Sequence, residues 1–522
     1  MHDIILGIDI GTASTKAIAF DATGAEVASA SRAYGLLTPR PGWVEQDADE
    51  VWRALLDVLR EIVTKTGTVG DRPEQKEVND RCGQSPDRAT SGHRIIALAL
   101  AAQAGSIIPT DAAGDPVHPM ITWLDRRTDE LVAGWRGDGT AERIRQLSGW
   151  HPFPGLPLPV IAWLRVERPD IHARAHRYLG AADFLIHRLT GRFATDLSAA
   201  CEMLLVDAQT GYWSAELCAI GGVDPTMQAE LGWAGRSIGA ITPQVAAYTG
   251  LPADTLVVAG GGDQPCACLG MGMFEPGRVA LATGTAWVIT GITASSRLED
   301  APPAMDLSFH AAPGRWTVSQ FLGGFGATVD WWLAQTWQPA DPAQAQPIKE
   351  LYRRLDAALV ASAPGSHGLL FTPLSGPSQL PGSTPGGVFA GLQLAHTRSD
   401  MARAILEGCG FEVRWALDQL HESGLPTSEL WIAGGASASP VWPPILADIS
   451  GVPIVLADYA NWAALGGAAL AGWGAGLFPT LEEGIARLQP PVRRLTPNAT
   501  LAELYAERYA GYRRLAGRRV DE

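Results

Sequence analysis

The chain has 522 residues, and its 40 basic and 55 acidic side chains give a formal net charge of −15, which disfavours nucleic-acid binding because such a surface repels phosphate backbones. A hydrophobic fraction of 46% with 18% charged residues is typical of a folded chain and argues against disorder. The length allows two large α/β domains or about three smaller ones.

Three β-type runs open the chain, at residues 4–8, 16–20 and 25–34, and turn-forming residues separate them. A helix is predicted next. Asp47 can cap it, and the apolar residues that follow recur at helical spacing. Residues 70–94 are polar and broken by Pro and Gly, which predicts a surface excursion.

Two further apolar runs end in polar side chains. Residues 95–102 form a predicted buried strand that leads to Gln103, and residues 118–127 form a predicted strand that ends in Trp, Asp and Arg. A mainly helical segment is predicted over residues 140–245.

The opening pattern of strand, glycine and polar turn returns in the second half of the chain. It occurs at residues 255–264, 277–291 and 429–442. Two halves with one pattern predict a duplicated α/β domain with a cleft between the copies. The boundary is expected near residue 250, with domains over residues 1–248 and 249–522.

The six cysteines are few and scattered, which disfavours a disulfide framework and predicts a reducing, cytoplasmic location. A buried small-residue stretch explains Cys266 and Cys268 better than a metal or redox pair, because no His or second Cys pair lies nearby. The Gly- and Ala-rich residues 462–478 are short for a membrane span and predict a close-packed helix. With no signal-peptide pattern at the N-terminus, no membrane partner is expected.

Three loops of small residues are candidates for phosphate binding. The first loop, residues 11–16, places Gly, Thr and Ser at a predicted hairpin tip, where N–H groups and hydroxyls can converge on an anion. It lacks the Walker spacing, so an ordinary hairpin turn is the alternative. The second loop, residues 283–285, and the third loop, residues 434–436, lie in the other half. Together the three loops predict sites for phosphates and adenosine.

Two acids, Asp9 and Asp263, stand at predicted strand ends beside glycines. Phosphoryl transfer to an alcohol needs a base for the hydroxyl proton and groups that screen the γ-phosphate charge. A turn-capping aspartate is the alternative for each acid.

The first loop in its context, GIDIGTASTKAIAFD, resembles the first phosphate loop of the actin-like ATPase superfamily, and of its FGGY carbohydrate kinases in particular. Further segments similar to that family occur in the family's order and span nearly the whole chain: PGWVEQDADEVW (41–52), PMITWLDRR (119–127), DFLIHRLTGRFATDLSAA (183–200), AGGGDQ (259–264), ATGTAW (282–287), RAILEGCGFEVR (403–414) and IAGGASASPVW (432–442). Actin and chaperone ATPases lack the PGWVEQD and WLDRR elements. The resemblance implies an α/β fold with two ribonuclease-H-like domains and a cleft between them.

The resemblance also implies an ATP-dependent sugar kinase that closes on its ligands, with ATP mainly against the second half and sugar against the first. Asp263 matches the family's general base, and Asp9 matches the acid that holds the Mg²⁺ shell. Nucleotide binding is implied for small and polar loop residues: Gly11, Thr12, Ser14, Thr15, Lys16, Thr283, Gly284, Thr285, Gly434, Gly435, Ala436 and Ser439. Substrate binding is implied for Gln103, Trp123, Asp125, Arg127 and Asp263. Three alternatives stay open: Lys16 can point to solvent, Trp123 can be a core residue, and Arg127 can serve only to orient Asp125.

Departures from the family pattern bear on the substrate. Xylulokinases usually have Gln-Met-His-Gly where residues 103–106 read Gln-Ala-Gly-Ser, so the histidine is missing. Ala286 stands in place of the usual Ser and Asn461 in place of a frequent Glu, and residues 371–381 lack their usual acid and base.

The implied reaction is phosphorylation of a small sugar, a ketopentose such as xylulose. The alternatives are a kinase for another polyol, ketose or aldonate (erythritol, glycerol, ribulose or gluconate type), and an inactive nucleotide-binding sensor. A homodimer is in keeping with the family.

Overall fold

The structure, a computed structural model, describes residues 2–68, 92–339, 341–374 and 386–521. Most of the predicted surface excursion at residues 70–94 lies outside these residues, as do Cys82 and much of the segment 371–381.

A six-stranded sheet, called the first sheet, contains the N-terminal strands. In spatial order its strands are Ser237–Ala240, Leu256–Gly262, His93–Ala102, His2–Ile10, Ser14–Asp21 and Glu26–Ala33. The three N-terminal strands are antiparallel, as the two turn signals predict, and His93–Ala102 is parallel to both His2–Ile10 and Leu256–Gly262. Parallel strands covered on both faces are nearly continuous apolar runs, and these strands fit that rule.

A seven-stranded sheet, called the second sheet, repeats this arrangement. In spatial order its strands are Asp306–Phe309, Trp316–Gly323, Trp287–Thr293, Gly277–Thr283, Thr427–Gly434, Ile454–Leu456 and Arg493–Leu495. An antiparallel unit again precedes parallel strands, because Gly277–Thr283 is antiparallel to Trp287–Thr293 and parallel to Thr427–Gly434. The repeated topology confirms the predicted α/β class with two sheet-containing domains.

The strand Leu256–Gly262 corrects the division of the chain. Its backbone pairs with His93–Ala102, so it belongs to the first sheet. The boundary expected between residues 248 and 249 therefore falls before the last strand of the first sheet, and the second sheet begins only at Gly277. An apolar strand that ends in glycines has the same sequence pattern in either half of the chain, so the pattern does not show which sheet the strand joins. Its pairing partner is distant in sequence.

Helices cover both sheets. In the described chain they are Ala48–Thr66, Asp129–Asp138, Thr140–Ser148, Pro157–Glu167, Pro169–Arg174, Ala181–Thr190, Leu197–Cys201, Ala215–Gly221, Pro243–Thr249, Asp263–Gly270, Phe325–Thr336, Ile348–Ala361, Arg398–Glu422, Trp442–Ser450, Trp462–Gly474, Leu481–Leu488 and Ala502–Asp521. The predicted cap of the first helix is confirmed, since the Asp47 side chain accepts hydrogen bonds from the backbone N–H groups of Asp49 and Glu50.

Four short strand pairs lie outside the two large sheets in the described chain. They are Glu45–Gln46 with Met120–Ile121, Ile108–Thr110 with Arg177–Leu179, Ala194–Asp196 with Glu230–Gly232, and Leu370–Thr372 with Val388–Ala390. The strand predicted over residues 118–127 is thus only two residues long, because the polar residues after Ile121 form turns.

The helix Trp462–Gly474 lies in sequence between the last two strands of the second sheet but packs on the first sheet and on Asp263–Gly270. A Cβ at Gly7 would lie 1.7 Å from the carbonyl oxygen of Ala464, so the strand and the helix touch backbone to backbone. One apolar cluster includes Ile5 of the first sheet and Val455 of the second around this helix. The close-packed helix predicted from its Gly and Ala content is confirmed, and no helix of the described chain has the length and hydropathy to cross a membrane.

Candidate active site

Three strands of the first sheet end side by side and carry polar residues. Ile10 and Gly262 both pair with Ala102, so the residues next to them lie at one edge of the sheet. Asp9, Gln103 and Asp263 occupy that edge. Ligand sites of α/β sheets typically lie at the carboxyl ends of parallel strands.

The two aspartates at this edge interact electrostatically. Burial and the charge of Asp263 raise the pKa of Asp9 to about 7, while Lys16 opposes the rise. Burial raises the pKa of Asp263 to about 6, and its Oδ1 accepts a hydrogen bond from the backbone N–H of Gln264 at 2.7 Å. The edge therefore carries excess negative charge that a bound cation would offset.

The first loop is held by side chains from other segments. Tyr34 donates a hydrogen bond to the carbonyl of Gly11 at 2.6 Å, and Thr15 donates to the Tyr34 hydroxyl at 3.3 Å. Gln46 donates to the carbonyl of Thr12 at 2.7 Å. Thr15 is buried, so its hydroxyl serves the loop's own structure, whereas Thr12 and Ser14 are partly exposed.

Thr12 connects the first loop to two predicted substrate residues. Its hydroxyl donates to Gln103 Oε1 and accepts a hydrogen bond from Trp123 Nε1, each at 3.1 Å. Gln103 is buried and also donates to Gln46 at 2.9 Å, so its amide is largely satisfied within the protein. Trp123 is 38% exposed and presents a ring face beside the loop.

Lys16 links the edge of the first sheet to the second half of the chain. Its Nζ donates to Asn461 Oδ1 at 2.5 Å, and Asn461 precedes the helix Trp462–Gly474. Asp9 and Lys16 are cross-strand partners, so both side chains lie on one face of the sheet. In the described ranges this is the one hydrogen bond that joins the first loop to the second half.

The second and third loops lie side by side on the second sheet, where Thr283 pairs with Gly434. The Thr283 hydroxyl donates to the carbonyl of Ala433 at 2.7 Å and accepts from the N–H of Ala436 at 3.1 Å. This buried threonine therefore ties the two loops together. Gly284, Thr285, Gly434 and Gly435 are exposed and leave backbone groups open to a ligand.

Gly326 supports the second loop from the helix Phe325–Thr336. A Cβ at this position would lie 2.2 Å from the carbonyl oxygen of Gly284, and the N–H of Ala327 donates to the carbonyl of Thr285 at 3.2 Å. Only glycine permits this approach. Sequence analysis missed Gly326, although it lies in the glycine-containing run LGGFG.

Two predicted substrate residues, Asp125 and Arg127, are bound to each other instead. Asp125 is fully buried and accepts hydrogen bonds from Arg127 Nε at 2.8 Å and Nη2 at 2.9 Å, and from the N–H of Val44 at 2.7 Å. Arg127 also donates to Glu45 at 2.6 Å and stacks 3.9 Å from the ring of Trp43. The pair joins the segments 41–52 and 119–127 and gives both side chains partners within the protein.

The Ser439 hydroxyl is likewise occupied. It donates to Asp356 Oδ1 at 2.6 Å and accepts from the N–H groups of Val441 and Trp442, which begin the helix Trp442–Ser450. Ser439 thus holds the turn that leads from the third loop into this helix.

A carboxyl group near Asp263 was also missed from sequence. Glu202 follows the helix Leu197–Cys201, and its pKa is raised well above the usual range by burial and by the charges of Asp263, Asp196 and Asp306. In the same region the Ser198 hydroxyl accepts from the N–H of Gly262 at 3.1 Å and donates to Asp196 at 2.6 Å. These contacts fix the strand end before Asp263. The one sequence signal for Glu202 was its position as an acid within the apolar run AACEMLL.

Magnesium bound through a nucleotide needs only one or two protein carboxylates, since phosphates and waters supply the other ligands. Within the described residues no group of three or more His, Cys, Asp or Glu could hold a metal by itself. The Asp9 carboxylate accepts no hydrogen bond in the described part of the chain, and its pKa is raised. Asp9 therefore fits the role of a single protein carboxylate for a Mg²⁺ ion that binds together with nucleotide phosphates.

The five cysteines in the described chain are buried and unpaired. Cys266 and Cys268 lie in the helix Asp263–Gly270, against the helix Trp462–Gly474, which confirms their predicted burial among small residues.

Comparisons with known proteins agree with this architecture. The model of the FGGY family of carbohydrate kinases, N-terminal domain, matches residues 4–270, and that of the C-terminal domain matches residues 279–475. The chain is 28% identical to an L-xylulose/3-keto-L-gulonate kinase of Escherichia coli (98% of this chain, 96% of the relative) and 29% identical to a glycerol kinase of Methylibium petroleiphilum (98% of each). The crystal structure of xylulose kinase from Rhodospirillum rubrum superimposes with a TM-score of 0.85 at 26% identity, over 98% of each chain.

Proposed function

Because this chain belongs to the FGGY family of carbohydrate kinases, we propose that it transfers the γ-phosphoryl group of ATP to a hydroxyl of a small sugar, with Asp263 as general base. The observation that carries the proposal is the shared strand edge of Asp9 and Asp263, two interacting carboxyls with raised pKa values. A ketopentose such as xylulose is the first candidate acceptor.

Asp263 has the properties that a base for an alcohol needs. Its pKa of about 6 leaves the carboxylate ionised at neutral pH yet more basic than an ordinary aspartate. The bond from the Gln264 N–H holds Oδ1 and leaves Oδ2 for the acceptor hydroxyl. In this mechanism Asp263 takes the hydroxyl proton as the acceptor oxygen attacks the γ-phosphorus in line.

The nucleotide is assigned to the three loops. The backbone N–H of Thr12 and the hydroxyl of Ser14 in the first loop donate to phosphate oxygens, and the open backbone of the second and third loops binds the remainder of the nucleotide. Lys16 turns from Asn461 to a phosphate when ATP binds. Asp9 would hold Mg²⁺ through its water shell, and the bound ion would neutralise developing charge on the phosphates.

Closure of the two halves around the ligands would exclude water, which otherwise competes for the γ-phosphoryl group. The hydrogen bond from Lys16 to Asn461 joins the first loop to the second half of the chain and would respond to such closure. The buried, unpaired cysteines support the expectation of a reducing cytoplasm, where ATP is abundant. A homodimer stays a prediction from the family.

The test is a coupled assay of ADP release with a panel of ketoses, polyols and aldonates. We expect acceptor-dependent ADP release well above the rate with water alone. If ATP binds but no panel member accelerates ADP release, the chain is a nucleotide-binding sensor and the proposed function is wrong.

A further inference from the structure

Glu202 lies between two glycines of the predicted acceptor site. A Cβ at Gly262, the residue before Asp263, would lie 3.5 Å from Glu202 Oε1. A Cβ at Gly105 would lie 4.0 Å from Glu202 Oε2. The carboxylate therefore faces both the catalytic strand end and the position where xylulokinases usually carry histidine.

Within the described residues Glu202 makes no side-chain hydrogen bond or ion pair, although the side chain is partly buried. A partly buried carboxyl group without donors is unfavourable for the free protein. Burial and the charge of Asp263 accordingly raise its pKa. Donors from a ligand would satisfy it.

Gly105 lets the chain pass close to Glu202. Its φ is +70°, and a Cβ there would lie 3.1 Å from Leu156 Cδ2 and 3.3 Å from Trp123 Cβ, so a larger residue is strained. Leu156 and Trp123 thus occupy the space that a side chain at residue 105 would need. Trp123 is also partly exposed and offers an apolar wall beside Gly105.

We propose that Glu202 accepts hydrogen bonds from acceptor hydroxyls next to the one phosphorylated, and that it restricts the enzyme to neutral polyhydroxy substrates. The inference rests on the proposed kinase function and names its substrate class. Vicinal hydroxyls of a ketose or polyol can donate to both oxygens of a carboxylate.

An aldonate fits this site poorly. Its carboxylate would add a negative charge beside Asp263, which is ionised at neutral pH, and beside Glu202, whose ionisation the charge of Asp263 already opposes. Arg127, the cation expected to bind substrate, is already paired with Asp125 and Glu45. The acceptor site therefore discriminates against anionic sugars.

The test compares the wild type with Glu202→Gln, Glu202→Ala and a matched control, Glu507→Gln, on the exposed face of the C-terminal helix. KM and kcat are measured for the best neutral acceptor, for gluconate and for ATP. A hydrogen bond to a charged group contributes about 1.5–3 kcal/mol, so Glu202→Ala should raise the neutral acceptor KM by roughly 10- to 150-fold. The ATP KM should change by less than about twofold, and the control should match the wild type.

Glu202→Gln separates a binding role from a folding defect. It keeps the shape of the side chain and cannot ionise, so Tm should not fall below that of the wild type. The preference for the neutral acceptor over gluconate in kcat/KM should fall by about tenfold or more.

An unchanged acceptor KM in both Glu202 variants, or a wild type that prefers gluconate, would overturn this inference and leave the kinase function intact. A wild type that phosphorylates no panel member refutes the proposed function itself.

Discussion

Gly434→Ala tests how the second and third loops are built. Gly434 has φ 96° and ψ −161°, a backbone conformation almost confined to glycine. A Cβ there would lie 2.7 Å from the carbonyl oxygen of Thr283, in the paired strand. Alanine must therefore strain the backbone or separate the two strand ends.

The cost can be worked from these contacts. The backbone conformation costs about 1–3 kcal/mol for a residue with a side chain. Separation of the strand ends also breaks the hydrogen bond from the Ala436 N–H to the Thr283 hydroxyl, which contributes about 1 kcal/mol. We expect Gly434→Ala to lower the free energy of unfolding by about 2–4 kcal/mol and to raise the ATP Kd by about tenfold or more.

The assays are urea unfolding and calorimetric titration of ATP. Gly435→Ala is the matched control for stability, because a Cβ at Gly435 has its nearest contact at 3.5 Å and the residue is equally exposed. Its free energy of unfolding should stay within about 0.5 kcal/mol of the wild type. Equal stabilities for the two variants would refute this reasoning.

In a pH series, kcat/KM should fall on the acid side with an apparent pKa between about 6 and 7, because Asp263 and Asp9 have raised pKa values and the base must be ionised to accept a proton; an acid limb near the ordinary aspartate value would contradict this. Asp125→Asn should lower the free energy of unfolding by about 3 kcal/mol, since it weakens the buried pair with Arg127; wild-type stability with a raised acceptor KM would instead restore Asp125 to the substrate site. Gly326→Ala should raise the ATP KM by about tenfold through displacement of the second loop, and an unchanged KM would separate Gly326 from nucleotide binding.

The sequence predicted the local features of the fold well. The features that were predicted depend on residues close together in the chain. They are the strands that end in glycines, the Asp47 cap and the small-residue helix Trp462–Gly474. The sheet to which Leu256–Gly262 belongs could not be read in this way, because its hydrogen-bonding partner lies about 160 residues away. Local propensity defines a strand and tertiary packing defines its neighbour.

The candidate site likewise contains residues that a local sequence pattern can identify and residues whose surroundings only the fold defines. The aspartates Asp9 and Asp263 were found because strand-end acids beside glycines have a local signature. Asp125 and Arg127 also lie at the end of a predicted strand, but the sequence does not show that they are buried and paired with each other. Glu202 has almost no signature, because only the fold places it near Gly262.

The central claim, that Asp263 removes the proton from the acceptor hydroxyl, is tested most directly by the turnover of Asp263→Asn at saturating ATP and acceptor. The account predicts that kcat falls by roughly 10²–10⁴-fold while the ATP Kd from titration stays within about twofold of the wild type. A kcat within about threefold of the wild type, with ATP binding retained, would contradict the account.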